Sequence, residues 1–288
     1  MLNTNNLLIS AILTIILSGC IQDDTDSSDS KTKEDFYAEM NDIGSDTTYN
    51  DAEYTYMSKT IEAKDIKKVN VDLSMDCGKF EIYGTDKVML KGDFRYKTNQ
   101  QKPVINYREN EEKEGALAIC MKWSRNEEKN IDNSDCKAFS KIAINNKVPM
   151  DMNIEFGAGK ADFNLEGMPI KNIDIQSGAG QFNVNLSNTS IEKIEMAAGV
   201  GQANIDLSGQ RTNDLKGNFA CGIGEITILL PSDVNIEVHT SGVLGSINAK
   251  GFNRNKRNLS FKPEKESKVD IDLDIAGGIG EINLILDK

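Results

Sequence analysis

Apolar and polar positions alternate most regularly just after each of a series of glycine pairs. After Gly157-Ala158-Gly159, for example, Ala161, Phe163 and Leu165 alternate with polar residues. Such alternation predicts a half-buried β-strand, because successive side chains of a strand point to opposite faces. The unit recurs in five copies, at residues 157–165, 178–186, 199–207, 222–230 and 278–286. The first three copies start 21 residues apart and the fourth follows after 23, a period typical of stacked repeats.

A second apolar run precedes most of the glycine pairs. Before the second copy it comprises Ile170, Ile173 and Ile175, and similar triplets precede the third and fifth copies. Neither strand could bury its apolar face alone, whereas stacking successive coils buries all of them. The pattern therefore predicts an all-β fold, a β-helix or solenoid of stacked two-stranded rungs of about 21 residues. The glycines mark sharp turns between the strands, which often require a positive φ.

The repeated pattern begins before the first complete copy and is interrupted once. Residues 69–82 alternate and contain Cys77-Gly78-Lys79-Phe80, a degenerate first copy. Residues 97–147 break the period, and their short apolar runs predict an irregular antiparallel flanking insertion. We therefore predict one β-helical domain over residues 59–288. Because the chain ends on a strand, residues 282–286 are expected to form an exposed edge that must be covered.

An apolar run near the N-terminus predicts export. Residues 7–17 are apolar except for Ser10 and Thr14, a length that fits a secretion signal and is too short to span a bilayer. Leu17-Ser18-Gly19-Cys20 follows and resembles the lipobox of bacterial and archaeal lipoproteins. Residues 1–19 are therefore predicted to be a removed signal peptide and Cys20 a lipid attachment site on the extracytoplasmic face of the cell membrane. An uncleaved anchor is the alternative, since no Lys or Arg precedes the run.

Composition changes sharply after this run. The formal net charge of the chain is −12, and residues 21–54 hold 11 acidic side chains against two lysines. So polar a segment buries too little surface to offset the entropy of ordering, and residues 20–58 are predicted to be an acidic disordered tether. The other charges are nearly balanced and form no basic face. This argues against nucleic acid as a partner.

Four cysteines besides Cys20 permit two disulfides in an exported protein. Cys120 and Cys136 flank a polar loop, and we favour this pair. Cys77 and Cys221 each precede a corner glycine. They either pair with each other or are small residues at two separate corners, and the sequence leaves both alternatives open.

A column of polar residues is expected on the outer face of the strands that follow the glycines. Equivalent positions of successive copies hold Glu81, Asp162, Asn183, Asn204, Thr227 and Asn283. Stacked amides can hydrogen-bond along such a column. A satisfied polar surface is the simplest interpretation. A binding groove for a glycan or peptide, with the middle four residues as ligand contacts, is the alternative.

The sequence supports no catalytic, metal or cofactor site. The glycine pairs lack the third glycine and the following helix of a dinucleotide loop, and the calcium-binding nonapeptide of β-rolls would need an aspartate at Ile282. His239, the only histidine, has no evident nucleophile, and no CxxC motif suggests zinc. Asp270, Asp272 and Asp274 share a face that a carbohydrate-active enzyme could use. Aromatic residues, however, make up only 6% of the chain, which leaves few rings to stack on sugars.

Several segments follow one another in a distinctive order: Val71–Ile82, Gly92–Tyr96, Pro103–Tyr107 and Lys147–Met152, and then the Gly-Ala-Gly copies. This succession resembles the toast-rack proteins, which are similar to the C-terminal domain of LiaF-like envelope-stress proteins. The resemblance covers roughly residues 66–288. It implies a β-helical stack of strands outside the membrane. It implies no catalytic residue, because the activity of that family is poorly defined.

These observations together predict a lipoprotein without catalytic activity that acts by protein contact or envelope sensing. Its expected partners are the membrane, through the N-terminal lipid, and another envelope protein. One alternative is a carbohydrate-active or glycan-binding protein that uses the outer Asp and Asn face. Another is adhesion through homo-oligomers that pair at the terminal strand.

Overall fold

The computed structural model describes residues 47–50, 54–63, 65–97, 102–121 and 137–287, with the backbone alone for residues 47–50. These residues form sixteen β-strands in one mixed sheet, and no helix occurs among them. The strands are β1 (Thr47–Asn50), β2 (Tyr54–Ile61), β3 (Lys68–Thr85), β4 (Leu90–Lys97), β5 (Val104–Glu109), β6 (Glu114–Met121), β7 (Phe139–Asn145), β8 (Met150–Asn164), β9 (Ile170–Asn185), β10 (Lys193–Asp206), β11 (Leu215–Leu230), β12 (Asn235–Ser241), β13 (Leu244–Ala249), β14 (Asn253–Asn255), β15 (Asn258–Phe261) and β16 (Asp270–Leu286). The predicted all-β solenoid is confirmed.

Six long strands form the body of the solenoid: β3, β8, β9, β10, β11 and β16. They pair in parallel, each in register with the next. The two strands predicted for each rung run together as one strand that bends at the glycine pair. We call the part before the bend the first arm and the part after it the second arm. Short loops lead from the second arms of β8, β9 and β10 to the next first arms.

The core lies between the two arms and is continuous from coil to coil. The second arms place Phe163, Val184, Ile205 and Ile228 in one column, directly opposite one another across the ladder. All four side chains are buried. The apolar face that alternation predicted is therefore shared by the whole stack, as a solenoid requires.

Backbone contact between coils explains the glycines at the bend. Gly180 has φ +146°, and a Cβ built on it would lie 2.0 Å from the carbonyl oxygen of Gly159 in the preceding coil. The first glycine of the same pair, Gly178, would place a Cβ 2.3 Å from the oxygen of Gly157. The bend thus requires glycine both for its dihedral angles and for the close approach of stacked backbones.

The described strands of residues 97–147, the region predicted as an antiparallel insertion, pair with the stack. β6 pairs in parallel with the first arm of β3, and β7 pairs in parallel with its second arm. Together they form a split coil outside β3. Only the next strands are antiparallel, with β5 against β6, and β4, β2 and β1 following β7. The predicted antiparallel flank is confirmed for these outer strands, whereas β6 and β7 join the parallel stack, because parallel pairing does not require adjacency in the chain.

The C-terminal strand is also internal. β16 lies between β11 on one side and a second split coil, β12 and β13, on the other. β13 pairs along Ile279–Leu284, so the exposed edge expected at residues 282–286 was wrong for most of that segment. The alternative of homo-oligomers that pair at this strand is therefore not supported, because β13 already occupies most of the edge that they would use. β15 and β14 continue the sheet beyond β12.

The folded region begins earlier than predicted. β2 spans Tyr54–Ile61, pairs with β4, and buries Tyr56 and Met57. The predicted tether, residues 20–58, therefore extends too far at its C-terminal end. Cys20 and the rest of the tether up to residue 46 lie outside the described residues, as does the predicted signal peptide.

Candidate functional site

The outer face of the second arms carries the predicted polar column. Successive coils place Glu81, Asp162, Asn183, Asn204, Thr227 and Asn283 at paired positions, and Asn248 of β13 completes the series. We call this set the polar ladder. Each member on the six long strands occupies an outward position between two buried residues, because alternation in the strand sends its neighbours into the core. The structure therefore brings together the four predicted ligand residues.

Hydrogen bonds run along the polar ladder from coil to coil. The Asn183 amide donates to Asp162 Oδ1 at 2.6 Å, and the Asn204 amide donates to Asn183 Oδ1 at 2.9 Å. At the other end, the Asn248 amide donates to Asn283 Oδ1 at 2.9 Å, and Asn283 donates to Glu225 Oε1 at 2.8 Å. Side chains that bond one another are held in place. The ladder is thus a rigid polar surface whose amides are partly satisfied internally.

A shallow depression of about 320 Å³ lies beside the middle of the ladder. It is lined by Asn183, Val184, Asn185, Asn204, Ile205, Asp206, Thr227, Leu229 and Ile285. Three of the four predicted ligand residues are among them, and Asp162 is not. Amide, hydroxyl and carboxylate groups next to the exposed aliphatic side chain of Ile285 could bind a polar ligand that has one apolar face.

A second column beside the polar ladder changes charge along the solenoid, and the sequence interpretation missed it. The residue after the second corner glycine is successively Lys79, Lys160, Gln181, Gln202, Glu225 and Glu281. Gln181 donates to Gln202 at 2.7 Å, which links the neutral middle of this column. The column is thus basic at the N-terminal end of the stack and acidic at the C-terminal end. A comparison of this one position among the repeats would have found it.

The three aspartates predicted on one face of the last first arm lie in an exposed row. Asp270, Asp272 and Asp274 are all exposed on the outer face of β16. Across the ladder they face Asn235, Glu237 and His239 of β12. His239 lies outward, as predicted, and its Nδ1 is 2.8 Å from Asn258 Oδ1. In the described part of the chain, no three His, Cys, Asp or Glu side chains converge as metal ligands.

Asp174, on the first arm of β9, has a raised pKa. Burial raises the pKa of Asp174, and the neighbouring Glu195 raises it further. Asp174 and Glu195 are paired across adjacent strands on the outer face. Because Asp174 and Glu195 are neighbours on adjacent strands, the negative charge of each opposes the ionisation of the other. The pair does not converge with a third metal-ligating group.

The cysteines are resolved in part. Cys77 and Cys120 each take part in a disulfide bond, and Cys221 is a free thiol whose pKa is raised by burial. The alternative pairing of Cys77 with Cys221 was therefore wrong. The favoured pair of Cys120 with Cys136 stays a prediction, because Cys136 lies outside the described residues.

Helices long and apolar enough to cross a membrane are not found within residues 47–287 as the structure describes them.

The comparisons with known proteins agree with the geometry of the stack. A crystal structure of a candidate cell adhesion protein from Clostridium sporogenes ATCC 15579 is 26% identical to this chain, with a TM-score of 0.61. The similarity covers 81% of this chain and 99% of that one.

A candidate adhesin from Bacteroides fragilis NCTC 9343 is 13% identical, with a TM-score of 0.31 over 82% of this chain and 98% of its own. No curated protein matches the chain. The model of the family described as the N-terminal domain of toast_rack, DUF2154, matches residues 50–190 and again residues 176–229. These matches cover more than half of the 288 residues. The protein therefore belongs to the toast-rack family.

Proposed function

We propose that this protein is a lipid-anchored protein of the outer face of the cell membrane, where it binds another envelope protein without catalysing a reaction. The observation that carries the proposal is the similarity to the Clostridium sporogenes candidate cell adhesion protein, which extends over 99% of that chain. A likeness of this extent concerns the whole solenoid and not one motif. Binding through its exterior is then the simplest shared property.

The shape of the molecule supports a role in binding. Its core is filled along the whole stack by interlocking side chains of both arms. The polar ladder and the two charged ends of the neighbouring column lie on the outside. A rigid stack of this kind presents an extended, regularly spaced surface, which repeat proteins commonly use for recognition. An acidic segment between the lipid and the stack would hold this surface away from the membrane.

Replacing Cys20 with alanine is expected to abolish lipid attachment and leave a precursor that retains residues 1–19. The Cys20 thiol is the group to which the lipid is attached in a lipobox, and signal cleavage in lipoproteins follows lipidation. Metabolic labelling with a fatty acid and gel mobility measure both effects, and globomycin should give the same precursor with the unchanged protein. Cys221→Ala is the matched control, because Cys221 is a free thiol within the stack and should leave labelling unchanged. Equal labelling and mobility of the Cys20 variant would contradict the anchor.

A second candidate function is glycan binding, which the depression beside the polar ladder favours. Replacing Asn204 with alanine removes an amide at the centre of its lining and should weaken binding of envelope polysaccharide fragments about tenfold. Isothermal titration with and without calcium measures the change. Asn218→Ala is the control, because Asn218 is exposed on a first arm, outside this lining. No binding by the unchanged protein would rule this candidate out. Release of shortened products, lost in Asp272→Asn, would show catalysis instead.

A further inference from the structure

Four large aliphatic side chains project from the bend of the solenoid. In each of the five repeat copies one residue lies between the two corner glycines, and the register aligns these residues in a single column with Cys77 at one end and Leu244 at the other: Cys77, Ala158, Ala179, Val200, Ile223, Ile279 and Leu244. The last four, which we call the corner ridge, are exposed by 51%, 51%, 57% and 70%. They account for four of the five exposed large hydrophobic residues among the described positions.

The fold does not require these aliphatic side chains. Ala158 and Ala179 occupy the same position in earlier coils, with the same flanking glycines and the same bend. A methyl group is therefore sufficient there. A contiguous exposed apolar surface is uncommon on a soluble protein and marks a place that another molecule covers. Because adjacent strands lie about 4.8 Å apart, the corner ridge is about 14 Å long.

A bare groove with an acidic wall runs along one side of the corner ridge. Gly201, Gly224, Gly280 and Gly245 form its floor, since these stacked glycines carry no side chain. The far wall is formed by Gln202, Glu225, Glu281 and Ser246. The column on the other side of the ridge is formed by Ala197, Ala220, Ala276 and Ser241. Neither wall contains a cation at these positions, so the surface combines an aliphatic row with two carboxylates.

We propose that the corner ridge, with Glu225 and Glu281, is a docking surface for an amphipathic helix of another envelope protein. This helix carries aliphatic residues on the contacting face and Lys or Arg along one border. The inference rests on the proposed function, binding by protein contact, and specifies the chemistry of the partner. A helix laid along the ridge presents one side chain for each turn of 5.4 Å, close to the 4.8 Å spacing of the ridge residues. The Lys or Arg side chains along the border of the helix then lie next to Glu225 and Glu281, and this charge complementarity favours binding.

The same charges argue against two other occupants. A second copy docked ridge to ridge in the antiparallel orientation would bring Glu225 and Glu281 near their own counterparts, and like charges disfavour such contacts. An anionic lipid surface would be repelled in the same way. A cationic amphipathic helix satisfies both the aliphatic and the acidic components of the surface.

The test uses the full chain in nanodiscs of zwitterionic phosphatidylcholine, with empty nanodiscs as the blank. The probes are two labelled helices of about 18 residues, about five turns, with leucine on one face and either lysine or glutamate on the other. Fluorescence anisotropy should show the lysine helix binding at least about tenfold more tightly than the glutamate helix. The double variant Ile223→Ser/Ile279→Ser should weaken the lysine helix about tenfold or more. Glu225→Gln/Glu281→Gln should weaken it several-fold and flatten the salt dependence.

Ile285→Ser is the matched control, because Ile285 is 48% exposed but lies on the second arm, outside the corner ridge. It should leave binding unchanged, and circular dichroism should show all variants folded. The proposal is overturned by equal binding of both helices, by an equal effect of the Ile285 variant, or by no binding to the unchanged protein. If the Ile223→Ser/Ile279→Ser variant abolishes dimers of the unchanged protein, the ridge binds a second copy. If it abolishes binding to phosphatidylglycerol vesicles, the ridge binds lipid. Either result would also overturn the proposal. The proposed function fails separately, through an absent lipid label on the unchanged protein.

Discussion

Replacing Gly180 with alanine is expected to destabilise the protein by at least about 3 kcal/mol. Two effects add at this position. The backbone has φ +146°, which L-residues with a side chain rarely adopt. The new Cβ would also lie 2.0 Å from the Gly159 oxygen and 2.9 Å from its carbonyl carbon. Because both atoms belong to the backbone of the preceding coil, the stack itself must separate to relieve the contact.

Gly167→Ala provides a matched control in the same repeat region. Gly167 also has a positive φ, +63°, but a Cβ there would meet no atom within 4 Å. Only the left-handed conformation is then unfavourable, and the expected loss is about 1 kcal/mol. Urea unfolding of the full chain, followed by circular dichroism, measures both free energies of unfolding. Equal losses for the two variants would show that stacked backbone contact does not determine the glycines at the bend.

The regular spacing of the copies made the central stack predictable. Residues at equal positions in each period, such as Val184 and Ile205, must meet if successive coils pair in register, and they do. The period of 23 residues between the third and fourth copies leaves this register intact, because Ile205 still faces Ile228. The loop at residues 207–214 accommodates the two additional residues. Counting the residues between successive copies therefore predicted the correct contacts between residues far apart in the sequence.

The order of coils at the two ends could not be predicted in this way. β16 follows β13 in the chain, yet it pairs with β11 and places β13 outside it. Gly245 aligns with Gly280, but two residues separate it from Gly242 where the copies have one. This departure hid the split coil from the repeat pattern. β6 and β7 were hidden likewise, because their coil is interrupted between Met121 and Phe139.

The candidate surfaces were predictable to different degrees. Alternation and period placed Asn183 and Asn204 correctly on the outer face, whereas the direction of their hydrogen bonds depends on side-chain conformations that a sequence does not specify. Val200, Ile223 and Ile279 were visible between glycines. Their exposure was not, because it depends on which way the chain bends at each pair. A sequence period predicts where a residue lies along a strand, but it does not predict which residues lie on the outer side of the bend.

Replacing Phe156 with alanine is expected to lower the free energy of unfolding by about 4 kcal/mol. Phe156 ends the first arm of β8, is 3% exposed, and contacts rings on the second arms of three coils. Its ring centroid lies 5.5 Å from that of Phe182, 6.1 Å from Phe163 and 6.3 Å from Phe80. Truncation would open a cavity between the arms where coils β3, β8 and β9 meet. The free energy of urea unfolding measures the loss.

Phe252→Ala is the matched control. Its ring also pairs with another, at 5.9 Å from Phe261, but it is only partly buried and belongs to the C-terminal end of the stack. The expected loss there is less than half as large, because less apolar surface leaves water on folding. In a solenoid each coil contacts only its neighbours, so amide exchange in Phe156→Ala should accelerate most in β3, β8 and β9. Uniform acceleration of amide exchange from β3 to β16 would show instead that the stack unfolds as one unit. A decrease in the free energy of unfolding below about 1 kcal/mol would show that packing of the arms does not depend on the Phe156 ring.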